Sequence, residues 1–109
     1  MGSTSLRVAP IVFIPGSRTT AYDSFGSIFY QMNLSGTYGN LVIYDHRGRL
    51  IEHLLQNSLL DYAGVVIWDG TDAAGRPVQV WSYLIVLETH GLKQYFQTHY
   101  QTIVVGFHP

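Results

Sequence analysis

Trp68-Asp69-Gly70-Thr71-Asp72-Ala73-Ala74-Gly75-Arg76-Pro77-Val78 is the stretch that decides the fold. It lies between two apolar runs, residues 65–68 and 78–87. An aromatic closes one run, an Asp-Gly turn follows, and a second Asp and a second Gly lead through Pro77 into the next run. Asp-Gly between apolar segments marks strand, turn, strand, because Gly accepts the positive φ that a tight reversal needs. A companion phrase stands upstream, Leu41-Val42-Ile43-Tyr44-Asp45-His46-Arg47-Gly48-Arg49-Leu50-Ile51. It too reads as strand, turn over residues 45–48, strand. Two such phrases at this spacing describe a small antiparallel β-domain, and neither contains a catalytic device.

The pattern extends in both directions. Residues 6–14 are apolar around Pro10, which lacks a donor, so they read as an edge strand or an extended lead-in. Residues 15–20 are loop by composition. Residues 27–33 alternate, with Ile28, Tyr30 and Met32 on one face. Residues 35–39 read as a turn and 40–45 as a strand of strong β-formers. Residues 49–55 fit either a helical stripe (Leu50, Ile51, Leu54, Leu55) or a strand, and the Asp-x-x-Gly turn before them favours the strand. Residues 57–63 read as a loop carrying a helical turn. Residues 64–68, 79–89 and 94–107 are strands, the last two joined at His90-Gly91. The expectation is an all-β, immunoglobulin-like antiparallel β-sandwich of about seven strands. Residues 1–5 read as a leader and 6–109 as a single domain.

Bulk properties narrow the function. The chain has 109 residues, 47% hydrophobic and only 12% charged, enough to bury a core without staples. A formal net charge of −1 offers no basic stripe to neutralise phosphates, which argues against nucleic acid as partner. With no cysteine, the compartment is not legible from redox chemistry. No apolar run approaches the ~20 residues of a membrane-spanning helix. The chain reads as a piece of something longer, with any export signal elsewhere.

The two phrases also carry a resemblance. Ile43-Tyr44-Asp45-x-x-Gly48-Arg49-Leu50, then Gly64-x-x-x-Trp68-Asp69-Gly70-Thr71-Asp72-x-x-Gly75-Arg76-Pro77-Val78, then a strand containing Tyr83, resembles the FlgD-like immunoglobulin-like domains. These occur in the bacterial flagellar hook-capping protein. They also occur as C-terminal sorting or gliding-motility-associated modules of exported Bacteroidetes proteins that use type IX secretion. The resemblance spans residues 11–105. It implies structural roles for Tyr44, Asp45, Gly48, Trp68, Asp69, Gly70, Asp72, Gly75 and Tyr83. The chain departs from the pattern in three places. Trp81 stands where relatives have Gly. The carboxylate cluster that suits calcium in many relatives is replaced by Ile14-Pro15-Gly16-Ser17-Arg18-Thr19-Thr20-Ala21-Tyr22-Asp23, which keeps only Asp23. The basic residue before the last strand is absent.

Candidate chemistry is sparse. Asp69, Thr71 and Asp72 cluster oxygens as calcium would want, but lack the Gly at the sixth and the Glu at the twelfth position of a helix–loop–helix site. Asp side chains accepting backbone N–H groups explain the loop as it stands. His46, His53, His90, His99 and His108 show no zinc spacing. Ser58 with Asp61 and a distant His, or Ser82 in mid-strand, bears no nucleophile-elbow signature. The acids Glu52, Asp61, Asp69, Asp72 and Glu88 fall mostly in loops, where solvated carboxylates are ordinary. No metal and no cofactor is expected, and no enzymatic activity.

The aromatics are the richer signal. Tyr22, Phe25, Phe29, Tyr30, Tyr38, Tyr62, Trp81, Tyr83, Tyr95, Phe96 and Tyr100 are many for this length. An exposed aromatic row on a sandwich stacks on sugar rings, and an apolar patch marks an interface. Trp81, Tyr95, Tyr100, Ile103 and Val105 are the candidate interaction residues. The last strand, uncharged and β-rich, is either an open edge or a buried central strand. Together these readings point to a non-catalytic C-terminal sorting or accessory domain of a secreted or cell-surface bacterial protein. Its partner is then the secretion or attachment machinery, or a second protomer. A carbohydrate- or protein-binding module and a hook-cap-like assembly domain are the alternatives.

Overall fold

The computed structural model describes residues 4–17, 23–33, 36–91 and 96–107. Their eight strands are β1 (Ser5–Ala9), β2 (Val12–Phe13), β3 (Gly26–Gln31), β4 (Thr37–Tyr44), β5 (Leu50–Leu60), β6 (Ala63–Trp68), β7 (Trp81–His90) and β8 (Phe96–Val105). Among the described residues no helix is long and apolar enough to cross a membrane. One sheet has the order β1-β3-β6 and the other β2-β8-β7-β4-β5. Named by the immunoglobulin convention these are A-B-E facing A′-G-F-C-C′, so the expected sandwich is what forms.

The arrangement follows from the sequence step by step. Pro10 interrupts the first apolar run, and the chain changes sheets there. β1 pairs antiparallel with β3, while β2 pairs parallel with the end of β8, Val12 opposite Val104 and Phe13 opposite Val105. This splits one expected strand into two and introduces one parallel pair into an otherwise antiparallel fold. Ser5, assigned to the leader, opens β1 opposite Gln31, and Thr4 Oγ1 donates to Asn33 Oδ1 at 2.9 Å.

Alternation then fills the space between the sheets. Leu6, Ile28 and Trp68 from the small sheet meet Leu41, Ile43, Tyr83, Ile85, Leu87, Ile103 and Val105 from the large one, with Phe13 between them. Trp68 is the centre: its ring meets Phe13 edge-on at 5.6 Å and Tyr83 edge-on at 5.3 Å, and its Nε1 donates to Thr71 O at 2.9 Å. Tyr83, at the start of β7, donates its hydroxyl to Gln79 O at 2.6 Å, in the manner of the tyrosine corner.

Two segments differ from the expectation. Tyr38 and Gly39 belong to β4, not to a turn, and pair with both neighbouring strands. Residues 57–60 continue β5, and only Asp61 and Tyr62 separate it from β6. The physical reason is bulging. The β4–β5 register slips between Gly39 and Leu41, between Leu41 and Val42, and between Ile43 and Tyr44. Asn57 adopts φ 44°. Each extra residue flips the alternation, which spread the leucines of β5 into a false helical stripe.

Candidate functional site

The two Asp-x-x-Gly-Arg phrases fold into the same turn twice. In the first, Asp45 N–H donates to Arg49 O at 2.9 Å and Gly48 N–H to Asp45 O at 3.0 Å. Asp45 Oδ1 accepts the N–H groups of Arg47 and Arg49 at 2.9 Å each, and Oδ2 accepts Arg49 Nε at 2.8 Å. In the second, Asp72 repeats the backbone bonds with Ala74, Gly75 and Arg76, and its Oδ2 forms a looser ion pair, 3.6 Å from Arg76 Nε. Gly48 and Gly75 both sit at φ +79°, a conformation that closes the turn and that only Gly adopts without strain. Asp69 Oδ1 likewise turns inward to Thr71, accepting its N–H at 3.1 Å and its hydroxyl at 2.6 Å. These carboxylates build their own loops, and Tyr44 leads into the first of them at the end of β4.

The electrostatics follow. Burial pushes the Asp45 carboxyl up, but hydrogen bonds from the Arg49 backbone, the Arg49 guanidinium and the Arg47 backbone outweigh it, so it lies below the ordinary 3.8. Asp72 is lowered first by the Arg76 backbone N–H, against a smaller opposing effect of burial. Burial, and then the Asp45 charge, raise the Tyr83 hydroxyl above its usual value. Between the turns lies a recess of about 180 Å³, lined by Asp45, His46, Arg49, Asp72, Gln79 and Trp81 among others. Trp81, half exposed, packs against His46 at the recess, the ring centroids 4.5 Å and the planes 33° apart.

Among the described residues no hydrogen bond joins Ser58 or Ser82 to a histidine. Ser58 Oγ donates to Gln56 O at 3.3 Å, and Glu52 accepts the His53 N–H at 2.9 Å. No group of three or more His, Asp or Glu that could hold a metal ion occurs among the described residues. His99 points inward with Nε2 buried and unpartnered there, and His108 lies outside the described residues.

Two surfaces remain. The first is the flank of β8. β7 pairs along its whole length, from His90 opposite Phe96 to Trp81 opposite Val105, but β2 covers only Val104 and Val105. The Val104 and Gly106 N–H groups donate outward to Ile11 O and Phe13 O, both at 2.8 Å. Backbone direction alternates along a strand, so the N–H and C=O groups of Thr98, Tyr100 and Thr102 face the same way. No strand pairs with them among the described residues, although β1 runs beside β8 and Gln101 Nε2 donates to Leu6 O at 2.8 Å. The last strand is thus neither wholly edge nor wholly central. Of the residues expected to meet a partner, Tyr100 is 60% exposed beside this flank. Ile103 and Val105 are 0% and 2% exposed: their odd positions on β8 point them into the core, so both are corrected to packing residues. Tyr95 lies outside the described residues.

The second surface is the outer face of the large sheet. Register places Tyr38, His90 and Phe96 side by side on β4, β7 and β8, and Asn40, Glu88 and Thr98 in the next row. Tyr38 and His90 are nearly parallel, 17° apart with centroids at 5.7 Å; His90 and Phe96 are at 5.6 Å and 36°. His90 Nε2 lies 3.1 Å from Asn57 Oδ1, and the Asn57 N–H donates to Asn40 Oδ1 at 2.8 Å. The sequence hid this row by placing Tyr38 and His90 in turns, although strict alternation through Tyr38, Asn40, Val42 and Tyr44 would have found half of it.

Among known structures, the fold is similar to that of CopC from Methylosinus trichosporium OB3b. The TM-score is 0.56 at 14% sequence identity, over 97% of this chain and 96% of that chain. At that identity the likeness shows the β-sandwich and nothing further. No family model matches the chain, and no curated protein does.

Proposed function

We propose that this chain is a non-catalytic C-terminal accessory domain of an exported bacterial protein, docked by secretion or surface-attachment machinery along the open flank of β8. The observation that carries the reading is that flank. It is regular over its ten pairs with β7, it holds no Asp, Glu, Lys or Arg, and it lacks the bulges that protect β5. Such an edge accepts an added strand through main-chain hydrogen bonds. The Asp-x-x-Gly-Arg turns, present twice, and the resemblance of residues 11–105 to FlgD-like sorting domains support the same direction. A second protomer or a hook-cap-like assembly would use the same edge.

Deleting residues 102–109 is no test, since it removes Ile103 and Val105 from the core. Proline at Thr98 or Tyr100 is better, because edge strands tolerate proline where the N–H faces away from the ladder. The chain is fused to a reporter carrying a signal peptide, in a Bacteroidetes strain with type IX secretion. The fusion should reach the surface or medium, and Thr98→Pro and Tyr100→Pro should hold it in the periplasm while the domain stays protease-resistant. Retention of the unmodified fusion overturns the sorting reading; export of both proline variants overturns the edge.

A further inference from the structure

We propose that the outer face of the five-stranded sheet is a platform for an uncharged polysaccharide. This rests on a different surface from the β8 flank and stands without it.

The row Tyr38–His90–Phe96 crosses three adjacent strands. At strand spacings of about 4.8 Å it makes a track roughly 10 Å long. That is longer than one sugar ring and suits consecutive units of a chain. Tyr38 and His90 are near-parallel and Phe96 is tilted by 36° against His90, and Phe96, 77% exposed, offers most of its ring to a ligand. The C–H faces of pyranose rings pack against such surfaces, and their hydroxyls need donors and acceptors close by.

The neighbouring groups supply them. Asn40 and Asn57 use their side-chain oxygens within the sheet, as acceptors for the Asn57 N–H and for His90 Nε2. Their amide NH₂ groups therefore keep their donors for a ligand, next to the ring row. The His90–Asn57 bond also fixes the middle ring, which lowers the ordering cost of binding. Thr98 adds a hydroxyl in the same row as Asn40.

Charge selects the class of polymer. On β4, β7 and β8 the one acidic side chain is Glu88, and none of the three strands has Lys or Arg. On these strands an anionic glycan would meet a carboxylate and no Lys or Arg. A neutral one meets rings, amides and hydroxyls, the composition by which binding sites pair apolar contact with a few orienting polar groups.

The test is affinity electrophoresis of the whole chain in gels holding hydroxyethylcellulose, xylan or mannan, with alginate as the anionic comparison. At least one neutral polymer should retard the protein, and alginate should not. Phe96→Ala and Tyr38→Ala should each weaken retardation about tenfold, roughly the loss of one good contact, while Tyr38→Phe keeps it. Phe96 is exposed, so its variant should melt within a few degrees of the parent and serves as the deciding arm should Tyr38→Ala prove unstable. Absence of retardation by all three neutral polymers overturns the proposal. So does retardation by alginate alone, or undiminished retardation of a folded Phe96→Ala.

Discussion

Trp68→Ala is the perturbation whose size the structure specifies best. The indole is 1% exposed and lies against Phe13 and Tyr83, so it joins its own sheet to two strands, β2 and β7, of the other. Truncating a buried Trp costs about 3–5 kcal/mol, from lost transfer energy and the cavity left behind. The core cluster that holds it also contains Phe13, Ile28 and Ile103, each 0% exposed and on a sheet strand, so little collapse is available to soften the loss. Trp68→Phe separates the contributions. It keeps most of the ring contacts but strands Thr71 O, the acceptor of the indole N–H, at a cost of about 1–3 kcal/mol. At about 4 °C per kcal/mol for a domain of this size, alanine should lower Tm by roughly 12–20 °C and phenylalanine by less. Thermal and urea melts followed by far-ultraviolet circular dichroism read both. An alanine variant melting within a few degrees of the parent would refute the claim that Trp68 closes the sandwich.

Tyr83→Phe leaves Gln79 O without its 2.6 Å partner, and urea denaturation should show a loss of about 1 kcal/mol or more; an unchanged midpoint counts against the tyrosine corner. Asp45 and Asp72 are both lowered in the folded state, so their stabilisation is present above the ordinary value of 3.8 and is lost as pH falls through the lowered ones. Urea midpoints should therefore drop on acidification from about pH 5 to pH 2. The Asp45→Asn, Asp72→Asn double variant should be less stable at pH 7 and flatter over that range; a double variant with the parent's acid profile would sink this assignment.

What was legible in the sequence was whatever depended on local chemistry. The Asp-x-x-Gly-Arg turns, the Trp68 strand and the alternation of Ile28, Tyr30 and Met32 need only neighbours in the chain, and the structure contains them. Bulges were not legible, because whether Leu41 faces Leu55 or a neighbour of it depends on a partner strand. That one uncertainty produced both the helical stripe in β5 and the missing end of that strand. Two of the five candidate interaction residues, Ile103 and Val105, are buried, which was not legible for a related reason. Ile103 and Val105 share the low charge of Tyr100, and only the register against β7 separates the inward positions from the outward ones. The His90 ladder needed three strands in register at once, which no single window of sequence displays.

The central claim is that the flank of β8 is open for docking, and amide hydrogen exchange on the isolated chain tests it most directly. His99 and Gln101 lie on the positions whose N–H groups face β7 and should be protected, whereas the amides of Thr98 and Tyr100 face outward and should exchange at least tenfold faster, about 1.4 kcal/mol in protection. Equal protection of Thr98, His99, Tyr100 and Gln101 would mean that another strand already covers the edge, and would contradict the account.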